Sequence, residues 1–199
     1  MQSLSPFSLH LQAVVRRSIF VSYHHDADSL FYDEFSRIFH DRYELVRDNS
    51  LERCVDSADS DYVMRRIREK HITGSSCTVV LCGAATAWRK YVDWEISATL
   101  DKRHGLIGVR LPTNPVNPIL DSCSKPARLQ ANIDCGYAVW AGWDDLMRDP
   151  ALLVQLVEGA LAKAKAFEPD NSQPLRGQDN HLATREAMLA AALGYVASR

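Results

Sequence analysis

Cys77-Thr-Val-Val-Leu-Cys-Gly83 is an unbroken, mostly apolar run, and no other stretch limits the fold as tightly. A strand with one wet face alternates apolar and polar residues, whereas a continuous run suits the centre of a parallel sheet covered on both faces. Directly after it, bulky groups recur at positions 88, 91, 92, 96 and 99, the stripe of an amphipathic helix over Trp88 to Leu100. Weaker copies of this strand-then-helix unit fill the rest of the chain. Ser18 to Tyr23, Tyr43 to Asp48, Gly105 to Pro112 and Tyr137 to Trp140 read as four further strands. Helices are expected over about 29–41 with Asp28 as N-cap, over about 60–72, and from the Asp149-Pro150 start to about 166. Thr113 to Gly136, holding Pro115, Pro118 and Pro126, is expected to be a long loop with one turn of helix near 127–131.

Five rounds of strand and helix mean an α/β fold, a five-stranded parallel sheet with helices on both faces. Ligands of such sheets bind outside the carboxyl ends of the strands. Ser22, Tyr23, His24, Asp48, Gly83 and Ala84 fall on that rim, and the helix after the central strand starts from it. The expected divisions are a leader over 1–16, one domain over 17–167, a polar linker over 168–180 and an alanine-rich helix over 181–199.

Within the stripe of the 88–100 helix sits one carboxylate, Glu95, while Arg89, Lys90 and Asp93 are expected to point elsewhere. A bare buried charge is too costly, so Glu95 must be hydrogen-bonded, paired or lining a cleft. Either a structural or a functional acid satisfies that rule.

Several chemistries are excluded by what is missing. With 23 Lys+Arg against 25 Asp+Glu and a formal charge of −2, no basic surface points to nucleic acid. No run reaches the roughly 18 apolar residues of a membrane span. The five cysteines form no CxxC pair or metal spacing, which suits reduced thiols in the cytoplasm. The turn after the first strand, Tyr-His-His-Asp-Ala-Asp, lacks the glycines of a P-loop or dinucleotide turn, and no Gly-x-Ser-x-Gly elbow exists. Adjacent His24 and His25 with Asp26 are poor metal ligands, because neighbours on a turn point apart. Cys82 reads as a small residue of a buried strand rather than a nucleophile.

Five blocks, taken in order, carry a resemblance: Ser18 to His25, Asp59 to Ile72, Ser76 to Gly83, Trp88 to Ile96 and Gly105 to Pro112. Over roughly residues 17–165 the chain resembles the bacterial TIR-like family that includes the signal-producing subunit of the Thoeris anti-phage system. The resemblance implies a TIR fold, a flavodoxin-like three-layer sandwich. It also implies an enzyme that cleaves the nicotinamide–ribose bond of NAD+ and makes a cyclic ADP-ribose isomer as second messenger.

Catalytic TIR domains end an aromatic-x-x-x-Glu motif on the essential glutamate. Tyr91-Val-Asp-Trp94-Glu95 matches that form, with tyrosine where many relatives have tryptophan, so the resemblance makes Glu95 the catalytic residue. Around it, Tyr23, Tyr91 and Trp94 are candidates for stacking on nicotinamide or adenine. Ser22 and Asp48 are candidates for hydrogen bonds to the ribose or phosphate side, against bland readings as a strand-end cap and a turn residue. No metal and no cofactor are implied, NAD+ being the substrate. The implied partners are an effector protein reached through the diffusible nucleotide, a phage-derived activator and further copies of the chain. The rival readings are a catalytically silent TIR interaction module and an NADase giving linear ADP-ribose.

Overall fold

The computed structural model describes residues 17–41, 43–47, 72–117, 119, 121–178, 185, 186 and 189, with 44–47 described by backbone alone. Five parallel strands form the sheet: β1 (Ser18–Ser22), β2 (Glu44–Arg47), β3 (Cys77–Cys82), β4 (Gly105–Arg110) and β5 (Val139–Gly142). Their order is β2-β1-β3-β4-β5, the flavodoxin-like arrangement of a TIR fold. The strand order reverses between β1 and β3, and the ligand crevice of such a sheet opens at that reversal.

Strand periodicity assigns the two faces. Ile19, Val21, Val79, Leu81, Ile107 and Val109 point to the side covered by α1 (His25–Phe39) and by the last described helix, Leu152–Ala166. Phe20, Thr78, Val80, Cys82 and Leu106 point to the side covered by α2 (Lys90–Asp101) and α3 (Ala127–Asp134). All six residues of β3 are buried, as a continuous apolar strand between two helical layers requires. A short α4 (Trp143–Arg148) joins β5 to α5, the Leu152–Ala166 helix.

Four boundaries differ from expectation, each for a local reason. α1 begins at His25, so Asp28 lies inside its first turn, where its N–H donates to the His24 carbonyl at 2.8 Å. Acidic residues at 26 and 28 suit the positive end of the helix dipole. β5 starts at Val139 rather than Tyr137, because the Tyr137 hydroxyl donates to the His104 carbonyl and the Ala138 N–H to Asn132. Asp149 accepts from the Ala151 N–H in a turn before α5, so Pro150 precedes the helix. α3 runs to Asp134, well past the expected single turn. The leader, the expected 60–72 helix apart from Ile72, and most of the 181–199 helix lie outside the described residues. Among the described residues, no helix is long and apolar enough to cross a membrane.

Candidate functional site

Two threonines seat α2 on the sheet. The Thr99 hydroxyl donates to the Glu95 carbonyl one turn earlier at 2.8 Å, and Thr78 of β3 approaches it at 2.7 Å. With its proton spent on Glu95, Thr99 accepts from Thr78. This pair fixes the level of the helix against the strand. Four helical residues from Thr99 back to Glu95 span about 6 Å. Two strand residues from Thr78 on to Val80 span about 6.6 Å. Because a crossover helix runs antiparallel to its strands, Glu95 stands level with Val80, whose register partner on β1 is Ser22. Ser22 shares the sheet face of Phe20, which packs on Trp94 and Ala98 of the same helix. Glu95 and Ser22 therefore stand at one level, next to the reversal of strand order.

Both groups are withdrawn from water, Glu95 at 5% exposure and Ser22 at 1%. The Ser22 hydroxyl finds no hydrogen-bond partner among the described residues. A buried hydroxyl without a partner forfeits about 1–3 kcal/mol, which a polar ligand group would recover.

The aromatic candidates divide three ways. The Tyr23 ring belongs to the opposite layer, stacked on Tyr32 at 4.6 Å and 11° and lying 4.3 Å from His25. Trp94 is 5% exposed and its indole N–H donates to the Arg176 carbonyl at 2.8 Å. Tyr91, half-buried one turn rimward of Glu95, meets Trp94 edge-on at 5.8 Å with the Lys90 ammonium 4.7 Å from its ring. Of the three, Tyr91 is placed beside Glu95 with part of its surface open. Asp48 lies outside the described residues.

Residues 20–115, which carry β1 through the turn after β4 and hold both Ser22 and Glu95, match the family model for the Thoeris protein ThsB, TIR-like domain. Over that stretch the chain is similar to the TIR-like domain of ThsB. Among solved structures, the TIR domains of the activated Roq1 resistosome directly recognizing the pathogen effector XopQ align over 87% of this chain and 98% of that one. Identity there is 14% and the TM-score 0.36. A comparison with curated proteins finds no match.

The rim of this TIR-like domain holds a second buried carboxylate. Asp28, 1% exposed, accepts from the Thr86 hydroxyl at 2.9 Å, and Thr86 in turn accepts from the Gly83 N–H at 2.9 Å. A Cβ on Gly83 would stand 2.1 Å from the Asp28 Oδ1, so the absence of a side chain there is what admits the carboxyl. Burial pushes the Asp28 carboxyl up to about 6, against the pull of the Thr86 hydroxyl and the His24 backbone. This network ties the turn after β1 to the turn after β3, the two loops flanking the crevice. Its sequence signal is Gly83 itself, a glycine closing an apolar strand where backbone and side chain must approach.

Asn114, fully buried, fastens the long loop after β4 by donating to the Cys82 carbonyl at 3.1 Å and the Ser124 carbonyl at 2.7 Å. Cys82 itself is fully buried and its thiol is pushed far above the ordinary range, an inert core residue. His24 is buried while His25 packs against Tyr23, so the adjacent histidines diverge.

Asp93 points away from the Glu95 face, as expected, yet it is buried, held against Arg128 of α3 with Nε to Oδ1 at 3.0 Å and Nη2 to Oδ2 at 3.3 Å. The expected linker supplies the cover. Residues 168–178 lie against α2 and α3, and the Arg176 N–H donates to Asp93 at 2.9 Å. Helical periodicity in α2 alone carries no trace of this, because the partner groups come from later in the chain.

Proposed function

We propose that this TIR-like domain cleaves the nicotinamide–ribose bond of NAD+ and closes the remainder into a cyclic ADP-ribose isomer, a messenger for a separate anti-phage effector. The observation that carries the reading is the Glu95 carboxylate, level with a Ser22 hydroxyl that has no partner among the described residues, where the strand order reverses. Nicotinamide leaves as a neutral ring from a cationic one, so no paired general acid is needed, unlike ordinary glycoside hydrolysis. The reaction asks for negative charge beside the ribose as oxocarbenium character develops, and for acceptors that orient the ribose hydroxyls. A carboxylate in a dry, low-dielectric crevice does both with more force than one in water. Ser22 supplies a hydrogen bond at the same level, and Tyr91 a partly open aromatic face. Asp48, Tyr23 and Trp94 remain proposed contributors to the binding of NAD+. Ring closure needs the adenine end folded back onto C1′ with water kept out, a positioning task. No cofactor beyond the substrate enters. Further copies of the chain complete sites in this reading, and a phage-derived component triggers them in the cytoplasm.

The burial of Glu95 favours one second reading, a catalytically silent TIR interaction module in which that carboxylate only caps a structural network. Incubating the protein with NAD+ separates them. Free nicotinamide with a product one water lighter than linear ADP-ribose is the expected result. Linear ADP-ribose alone removes the cyclase half. No nicotinamide, with and without phage lysate, leaves the silent module.

A further inference from the structure

Residues 168–178, which follow α5, stay against the domain. They cross the outer side of α2, and the contacts fall on one stripe of that helix. The Asn171 amide donates to the Ser97 carbonyl at 3.2 Å and to the Asp101 carboxylate at 2.8 Å. Arg176 takes the Asp93 carboxylate on its N–H and the Trp94 indole on its carbonyl. Leu175, like Tyr91, packs on the cluster of Phe20, Ile72, Trp94 and Ala98. At 100° per residue, positions 93, 94, 97 and 101 lie within about 100° of one another, while Glu95 and Thr99 lie on the opposite side, toward the sheet. The helix is thus held between the sheet on Glu95's side and the strap on the other.

Arg128 is the rivet. Its side chain is fully buried and donates to Asp93, to Asn171 Oδ1 at 2.6 Å, and to the Gln173 and Pro174 carbonyls at 3.0 and 3.1 Å. One guanidinium therefore joins α3, α2 and the strap. A planar fork with several bonds at fixed angles holds orientation in a way a lysine point charge does not. Removing a charge from water this completely is costly, and a buried ion pair is weak evidence for stability by itself. What it does secure is one geometry among three elements.

We propose that the 168–178 strap sets the seat of α2 on the sheet, with Arg128 as a positioning residue that holds Glu95 at the level of Ser22. The proposal rests on the reading of Glu95 as the reactive carboxylate. It assigns to a segment outside the family match a part in the reaction. A displacement of about 1 Å of a reacting group costs on the order of 10²-fold in rate. A loosened strap therefore acts on kcat, while the binding of NAD+ stays as it was.

Two variants of the full chain test this. Asn171→Ala with Leu175→Ala loosens the strap while leaving the Arg128–Asp93 pair intact. Arg128→Lys keeps the charge and loses the fork. In both, with folding confirmed by near-UV circular dichroism, kcat for nicotinamide release is expected to fall at least about tenfold with KM held within about twofold. The Trp94 indole N–H and the α2 amides are expected to exchange with deuterium at least about tenfold faster, with β4 unchanged. Faster exchange with kcat within twofold of the parent overturns the positioning role and leaves a purely structural strap. Unchanged exchange overturns the proposal outright. If the parent chain releases no nicotinamide, the functional reading fails by itself and the positioning role fails with it. Exchange then decides only whether the strap seats the helix.

Discussion

Asp93 and Glu95 are two carboxylates of one helix, two residues apart, and both are buried. They have been made to do different things by what faces them. Asp93 meets a fully buried arginine fork and a backbone N–H, so its lone pairs are claimed by groups the chain itself supplies. Glu95 stands on the sheet side, level with Ser22, whose hydroxyl has no partner among the described residues. Burial alone does not mark a functional acid; the identity of its neighbours does. On the sheet side of α2 the Ser22 hydroxyl has no partner among the described residues, while on the strap side the Asp93 carboxylate is filled by Arg128 and the Arg176 N–H.

The largest expected effect breaks the strap side. Asp93→Ala strands Arg128 as an uncompensated buried charge and should cost about 3–5 kcal/mol in urea unfolding. A loss under about 1 kcal/mol would mean the pair is not buried as described. Asp28 gives the next largest effect, through pH. Its folded carboxyl at about 6, above the usual 3.8, means that the native state holds its proton more tightly than the unfolded chain. Its contribution is fully present below about pH 4 and is lost as pH rises through 6, on the order of 3 kcal/mol in all. Asp28→Asn should flatten that part of the stability–pH curve, and an unchanged slope between pH 4 and 7 would remove Asp28 as its source. The smallest effect belongs to the helix seat. Thr99→Val leaves the Thr78 hydroxyl without its partner and should cost about 1 kcal/mol by denaturant midpoint.

Much of the architecture is legible in the sequence because it is written in short-range patterns. The apolar run at 77–82 and the β-rich run at 18–22 fix strands through local composition, and their alternation with helices implies the parallel sheet. The Glu95 position follows from a helical stripe. The second half of the site does not follow in that way. Asp28 reads as an N-cap because a capping acid and a buried first-turn acid have the same sequence signature. Only its meeting with Gly83 and Thr86, far along the chain, distinguishes them. The strap reads as a linker because Glu-Pro-Asp-Asn-Ser-Gln-Pro has no periodicity. Its order comes from hydrogen bonds to Arg128 and Asn132, which no pattern within the segment reveals. Short-range signals locate the sheet and its rim; long-range polar contacts decide which buried charges are already satisfied.

Glu95 as the reactive carboxylate of this helix is tested most directly by comparing Glu95→Gln with its parent for nicotinamide release from NAD+. The substitution keeps the shape and removes the charge. The account predicts a loss of at least about 10²-fold in kcat, with the denaturation midpoint shifted by no more than about 1 kcal/mol. Undiminished release by a folded Glu95→Gln protein would contradict it.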